Sequence, residues 1–375
     1  MNRLPIAEYH FGNFPNTNLS GFNLLIKRVL STPVLELVAS PSVPLPSTKN
    51  EKPFMRWEIQ EDQIEVQTPA KLNLYLEVLG KRDDGFHELE TIMTAIDLYD
   101  LIRIRKLSRD ESSEQIRLSC KWITVKRFDK STSEKRGTVL GTDEPFGDLP
   151  TDKSNLVYRA AQIFFSETGI DARVDIELLK LIPSVAGLGG ASGNAAGTLM
   201  AINRLFGSPV GKQRIFDLTA ELGSDVPFFV NGGTAICRGR GEKTTQLRSF
   251  AKLHFVVIRP YFGLSTKSVF SKLELPNDVE QLNGQSIQHF GENWKSSLFN
   301  RLQEPAIFAA PEIAKIIETL NQSGCIASQM TGSGSSCFGV CESPEQAKTI
   351  ANQLRSQRIG FVYSCQNLPD FSVPF

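Results

Sequence analysis

The chain has 375 residues, 41% of them hydrophobic, with Lys+Arg and Asp+Glu balanced at 41 each. That length buries a full core and suffices for two domains, while a net charge of zero removes the electrostatic grounds for a nucleic-acid or anionic-membrane partner. Six cysteines without a C-x-x-C pair, four scattered histidines and no apolar run near the ~18 residues of a membrane span predict a cytoplasmic protein with reduced thiols, no metal centre and small-molecule partners.

Residues 1–54 are rich in proline, serine and asparagine, and Pro41 to Pro46 is a helix-breaking run, so a disordered extension is expected, or translation that starts at Met55. Lys27-Arg28 hints at a signal peptide, but Pro33 and Glu36 interrupt the apolar stretch. From Thr68 to Val78 the residues Leu72, Leu74, Leu76 and Val78 alternate with polar ones, which predicts a strand with one buried face. Lys71 and Asn73 then share the other face roughly 7 Å apart, as a solvated pair or a functional one. Asp84-Gly85 is a hairpin turn signal that sets Phe86 and His87 beside a loop. Residues 107–150, rich in charge, serine and glycine with a weak strand at Ile116 to Val125, read as an insertion or long hairpin.

A helix opens at Asn155, and Val174, Ile176 and Leu178 mark a further strand. This strand runs into Pro183-Ser184-Val185-Ala186-Gly187-Leu188-Gly189-Gly190-Ala191-Ser192-Gly193-Asn194, after which Ala195, Ala196, Leu199, Met200, Leu205 and Phe206 repeat at helical spacing. Four glycines in seven positions leave backbone N–H groups unscreened in front of a helix N-terminus, which suits the phosphates of a nucleotide. The same composition also suits a turn that merely packs a helix on a sheet. No lysine in the loop excludes a P-loop, and Ser192 in place of the third glycine speaks against a dinucleotide fingerprint.

A helix over Lys212 to Leu222 ends at Gly223, the expected C-cap, and Ser224 or Asp225 either caps the next turn or serves chemistry. Gly232 to Glu242 reads as an edge hairpin, and His254 to Ile258 begins a new strand. Phe270 is a core residue or a stacking face. Gly332, Ser333, Gly334 and Ser335 form a second glycine-serine loop that feeds a strand, and Glu345 to Gln357 is an amphipathic helix.

P-x-x-x-G-L-G followed by small residues and an alanine-rich helix resembles the phosphate loop of the GHMP kinases. Pro69-Ala70-Lys71-Leu72-Asn73-Leu74, the run Leu79 to Leu89 (L-G-K-R-x-D-G-F-H-E-L) and Leu222 to Phe229 (L-G-x-D-V-P-F-F) are similar to motifs of the diphosphocytidyl-methylerythritol kinase branch. The resemblance spans about residues 64–365. It implies an α+β fold, the two-domain GHMP kinase fold with the active site in the cleft between domains, divided into 55–250, which binds ATP, and 251–375. It implies ATP held by Pro183, Ala186, Gly187, Leu188, Gly189, Gly190, Ala191, Ser192, Gly193 and Asn194, with Gly332 to Ser335 as a supporting loop. Lys71 and Asp225 are the implied catalytic pair, and Asn73, Phe86, His87 and Phe270 the implied acceptor contacts, the aromatic and histidine holding a cytosine.

Phe86 lacks the hydroxyl of the commoner tyrosine, Gly193 replaces a common serine, and Arg301 departs from the family's N-D-[LF]-E, so it receives no role. Magnesium is expected with ATP, but no carboxylate cluster stands ready for it. The implied reaction moves the ATP γ-phosphoryl to an alcohol. Rival readings are a kinase for homoserine or mevalonate, a nucleotide-binding regulator without activity, and a dinucleotide-dependent oxidoreductase. Oligomeric state is not legible.

Overall fold

The computed structural model describes residues 55–126, 137–141, 147–247, 250–275, 279 and 281–369. The expected extension over 1–54 lies outside them. The chain falls into two compact units, 1–52 with 121–144 and 53–120 with 145–375. In the first, the described residues are the outer end of β4 (Ile116–Lys126) and β5 (Gly137–Gly141), which pair antiparallel with Trp122 opposite Gly141. This pair falls within residues 107–150, which read as an insertion or long hairpin.

The second unit contains two sheets. The larger is organised by β2 (Gln63–Lys81) and β3 (His87–Leu107), antiparallel strands of 19 and 21 residues joined by the Asp84-Gly85 turn. Their length lets each free edge serve two partners. β1 (Arg56–Gln60) takes one end of β2, and β10 (Phe299–Asn300) lies parallel to Tyr75 and Leu76 further along. On β3, Leu101 to Leu107 pair with β6 (Arg173–Lys180), while Leu89 to Thr94 pair with β7 (Thr234–Gly239), which forms a hairpin with β8 (Lys243–Gln246). β4 lies beyond β6. The second sheet has the order β11 (Ala327–Met330), β12 (Cys337–Cys341), β9 (His254–Arg259), β13 (Phe361–Gln366), antiparallel throughout.

Register in β2 slips between Pro69 and Ala70, where proline has no N–H for the ladder, and between Asn73 and Tyr75. At the second irregularity the Asn73 N–H leaves the ladder and donates to Thr331 Oγ1 at 2.9 Å.

The helices follow their end signals. α1 (Leu156–Thr168) starts on Asn155, whose Oδ1 accepts from Val157 N at 2.9 Å, and stops at Gly169 with φ 66°. α2 (Gly190–Leu205) is the helix of the glycine loop, and α3 (Lys212–Leu222) follows it. Gly223 caps α3 in an extended conformation (φ 168°), not the left-handed one that a glycine C-cap usually supplies. The short α4 (Phe228–Asn231) is entered through Pro227 with no side-chain cap, so Asp225 is not a capping residue. α5 (Thr266–Phe270), α6 (Gly284–Glu292), α7 (Trp294–Ser297), α8 (Gln303–Ala309) and α9 (Glu312–Gln322) precede β11. α10 (Pro344–Arg355) carries Pro344 in its first turn and Ser343 as cap.

β2 runs through all three apolar clusters. Ile64 and Val66 pack with α1, α2 and α3, Leu72 and Leu74 pack with Phe255, Val257 and Phe338 of the second sheet, and Leu76 and Val78 pack with α8 and α9. The strand is therefore covered on both faces where one open face was expected. Lys71 and Asn73 are each 3% exposed, which puts two polar side chains of this strand in the interior.

Candidate active site

The site is assembled on β2. Lys71 N donates to Leu188 O of the glycine loop at 2.9 Å, and Lys71 Nζ reaches Asn73 Oδ1 at 2.5 Å and Asp225 Oδ2 at 3.6 Å. Asp225 is more than a third exposed, so its carboxylate faces the open side while the lysine is enclosed. Asn73 is held from both ends. Its Nδ2 donates to Thr91 Oγ1 at 2.8 Å, and its Oδ1 also accepts from Thr331 Oγ1 at 3.3 Å. Its carboxamide therefore fixes the lysine, where contact with an acceptor hydroxyl was expected.

The glycine loop divides into buried anchors and an open rim. Pro183, Ala186, Leu188, Gly190, Gly193 and Asn194 are buried, and Ala186 and Leu188 sit in the cluster between the sheets. Gly187, Gly189, Ala191 and Ser192 lie at the rim. Gly189 precedes α2 with φ 69° and no side-chain cap, so the first-turn amides face outward with the positive end of the helix dipole behind them. Asn194 is turned away from this rim. Its Oδ1 accepts from Thr68 and its Nδ2 donates to Asp100 Oδ2 at 2.9 Å, which uses both ends of the amide inside the core.

The glycines answer to packing more than to open space. A Cβ at Gly187 (φ 72°) would stand 2.3 Å from Thr331 O, and one at Gly332 (φ 58°) would stand 3.2 Å from Gly187 O. The first and second glycine loops touch backbone to backbone, which no side chain permits. Asn300 Nδ2 clamps the second loop through Met330 O and Gly332 O, both at 2.9 Å. A Cβ at Gly193 would lie 2.8 Å from Pro69 O, so the serine common at this position in the family has no room here. Ser333 Oγ meets Thr266 Oγ1 at 2.8 Å, and Ser335 Oγ is bonded to Phe262 O at 2.7 Å.

His87 and Phe270 come together, with ring centroids 4.6 Å apart and planes at 30°. Burial, reinforced by Lys81, holds His87 below the usual histidine pKa. Phe86 is 51% exposed, with the Arg240 guanidinium 5.1 Å above its ring.

One functional element was missed in the sequence. Asp100, fully buried on β3, accepts from Leu181 N at 2.7 Å, from Ile182 N at 2.8 Å and from Asn194 Nδ2, and is paired with Lys180 Nζ. It ties the entry of the phosphate loop to the first turns of α2. Among the described residues, no group of three or more His, Cys, Asp or Glu side chains is arranged to hold a metal ion, and no helix is long and apolar enough to cross a membrane.

A glycine loop that opens on a helix N-terminus above a lysine–aspartate pair defines a phosphotransferase of the GHMP type. Residues 155–233 match the GHMP kinases N terminal domain, and residues 279–359 match the GHMP kinases C terminal family. The 4-diphosphocytidyl-2-C-methyl-D-erythritol kinase of Clostridium beijerinckii is 33% identical over 78% of this chain and 96% of its own. That of Rhodopirellula baltica is 37% identical over 77% of this chain and 90% of its own. A crystal structure of 4-(cytidine 5'-diphospho)-2C-methyl-D-erythritol kinase superposes with a TM-score of 0.63 at 28% identity, covering 81% of this chain and 98% of that one. A homoserine kinase from Cytophaga hutchinsonii, at 20% identity and a TM-score of 0.60, shares the fold. The chain belongs to the 4-diphosphocytidyl-2-C-methyl-D-erythritol kinase family.

Proposed function

We propose that the protein transfers the γ-phosphoryl group of ATP to the 2-hydroxyl of 4-diphosphocytidyl-2-C-methyl-D-erythritol, giving the 2-phosphate and ADP, as a cytoplasmic step of non-mevalonate isoprenoid precursor synthesis. The observation that carries this reading is the Lys71–Asp225 pair at 3.6 Å beside the glycine loop, in a chain whose relatives bear that activity in their names.

An alcohol is a poor nucleophile. In this reading Asp225, exposed on the acceptor side, orients the hydroxyl and takes its proton as the bond to phosphorus forms. Phosphoryl transfer is largely dissociative, so positioning and charge stabilisation supply most of the acceleration. Lys71 is suited to this because burial and the Asn73 bond fix its ammonium group, which offsets charge shifting between the γ-phosphate and the attacking oxygen. The rim amides of Gly189, Ala191 and Ser192 bind the nucleotide phosphates, with the second glycine loop as backing. His87 and Phe270 hold the cytosine by hydrogen bonding and stacking, and Phe86 adds an aromatic face. Among the described residues no group of three or more His, Cys, Asp or Glu side chains stands ready for a metal, so magnesium is read as the counter-ion of ATP, liganded by phosphate and water.

The product tests the reading. Phosphorus NMR and mass analysis are expected to show one new phosphomonoester on the 2-hydroxyl. Phosphate on another hydroxyl, or ATP consumption that does not depend on the acceptor, would overturn it.

A further inference from the structure

We infer that Arg240 binds the diphosphate of the acceptor, in the stretch between its pyrimidine and its reacting hydroxyl. The inference rests on the acceptor reading above. Arg240 occupies the turn between β7 and β8, where Gly239 (φ 75°) and Gly241 (φ 119°) bend the chain on either side of it. Glu242 Oε2 accepts the Arg240 backbone N–H at 2.7 Å, and Gly241 N donates to Arg238 O at 3.1 Å, so the turn is fixed from within.

This turn bridges the two ends of the acceptor site. The Arg240 guanidinium carbon is 5.1 Å from the Phe86 ring centroid. A Cβ built on Gly241, the next residue, would stand 3.5 Å from Asp225 Oδ1. With a pyrimidine at Phe86 and His87 and a hydroxyl at Asp225, the linking diphosphate passes Arg240.

Lys81 lies beside His87, at the pyrimidine end of the site, and three other nearby cations are engaged elsewhere. Lys71 is paired with Asp225, Arg82 with Asp84 and Glu88, and Arg238 with Glu90. Arg240 has no carboxylate within salt-bridge distance among the described residues, and Asp84, whose carboxyl it helps to hold below the usual range, is already bonded to Phe86 N and Arg82. Its contact with the Phe86 ring is weak beside a charge-assisted bond to phosphate, and a planar fork of donors matches phosphate oxygens.

The test compares cytidine diphosphate with cytidine as ligands, with the ATP site saturated by a non-hydrolysable analogue. It uses the wild-type full chain and the variants Arg240→Gln and Arg240→Lys. Arg240→Gln is expected to weaken cytidine diphosphate and to raise the acceptor KM by about tenfold or more, the scale of a lost bond to a charged group. Cytidine binding, ATP KM and thermal midpoint are expected to stay as in wild type, and Arg240→Lys to recover part of the loss. Equal weakening of both ligands would mean that Arg240 only props the Phe86 ring, and unchanged cytidine diphosphate binding would exclude the contact; both overturn the inference alone. A wild-type protein that binds cytidine diphosphate no better than cytidine and does not phosphorylate the cytidylyl acceptor would overturn the acceptor reading, and this inference with it.

Discussion

Lys71 Nζ lies 3.6 Å from Asp225 Oδ2, joining a fully enclosed ammonium on β2 to a carboxylate at the open side of the site. The pair is asymmetric. One partner is immobilised by Asn73, and the other is free to meet a hydroxyl. Asp225→Asn keeps the shape and removes the base, so kcat is expected to fall by at least ~10²-fold, the usual scale for a positioned acid–base group, with ATP affinity little changed. Steady-state kinetics and nucleotide titration check both parts; turnover near the wild-type rate would remove Asp225 from the mechanism.

His87 supplies a pH signature. Burial and Lys81 depress its pKa, so the ring takes up its proton at a lower pH than an ordinary histidine does. A neutral imidazole offers one donor and one acceptor to a cytosine edge, and protonation removes the acceptor. Acceptor KM is therefore expected to be flat at neutral pH and to rise as pH falls below the depressed pKa, by at most about tenfold per pH unit. His87→Gln should abolish that rise. A profile identical in wild type and variant would separate His87 from acceptor binding.

Gly197 tests which effect prevails when a helix glycine is filled. Alanine in a helix interior is favoured by about 1 kcal/mol over glycine. Here its Cβ would stand 2.2 Å from Thr68 Cγ2, and Thr68 is fully buried and bonded to Asn194, so it cannot swing aside. Overpacking of this kind costs about 1–3 kcal/mol. Gly197→Ala is expected to lower the denaturation midpoint, and a raised midpoint would show that α2 moves off β2 more easily than the packing implies.

Asp100 is fully buried beside the glycine loop and is paired with Lys180. Asp100→Asn removes the carboxylate paired with Lys180, which is 5% exposed, a loss on the order of 3–5 kcal/mol for a broken buried pair. ATP KM is expected to rise because the loop entry loses its tether. The double variant Asp100→Asn/Lys180→Met should recover part of the stability. Equal destabilisation in the single and double variants would show that the broken Asp100–Lys180 pair is not the cause.

Much of this was legible in the sequence because it is local. The strand–loop–helix of residues 174–206, the Asp84-Gly85 turn and the Asn155 cap are each set by neighbours along the chain. The pairing of Lys71 with Asp225 was reached only through motif resemblance, since nothing in spacing joins β2 to the segment before α4. What stayed hidden depends on contacts between distant segments. Gly187 read as backbone left open to a ligand, but it also admits the backbone of the second glycine loop at Thr331 and Gly332. Asn194 read as a phosphate contact but is drawn inward by Thr68 and Asp100. The alternation in β2 suggested one wet face, but Lys71 and Asn73 on that face are enclosed by Gly189, Phe229 and Thr331.

The most direct test of the account is ADP release by the purified protein with ATP and magnesium, comparing 4-diphosphocytidyl-2-C-methyl-D-erythritol, homoserine, mevalonate and no acceptor. Release with the cytidylyl substrate alone is predicted, and its loss in Asp225→Asn would tie it to this site. Release with homoserine or mevalonate, or none with any acceptor while ATP still binds, would contradict it.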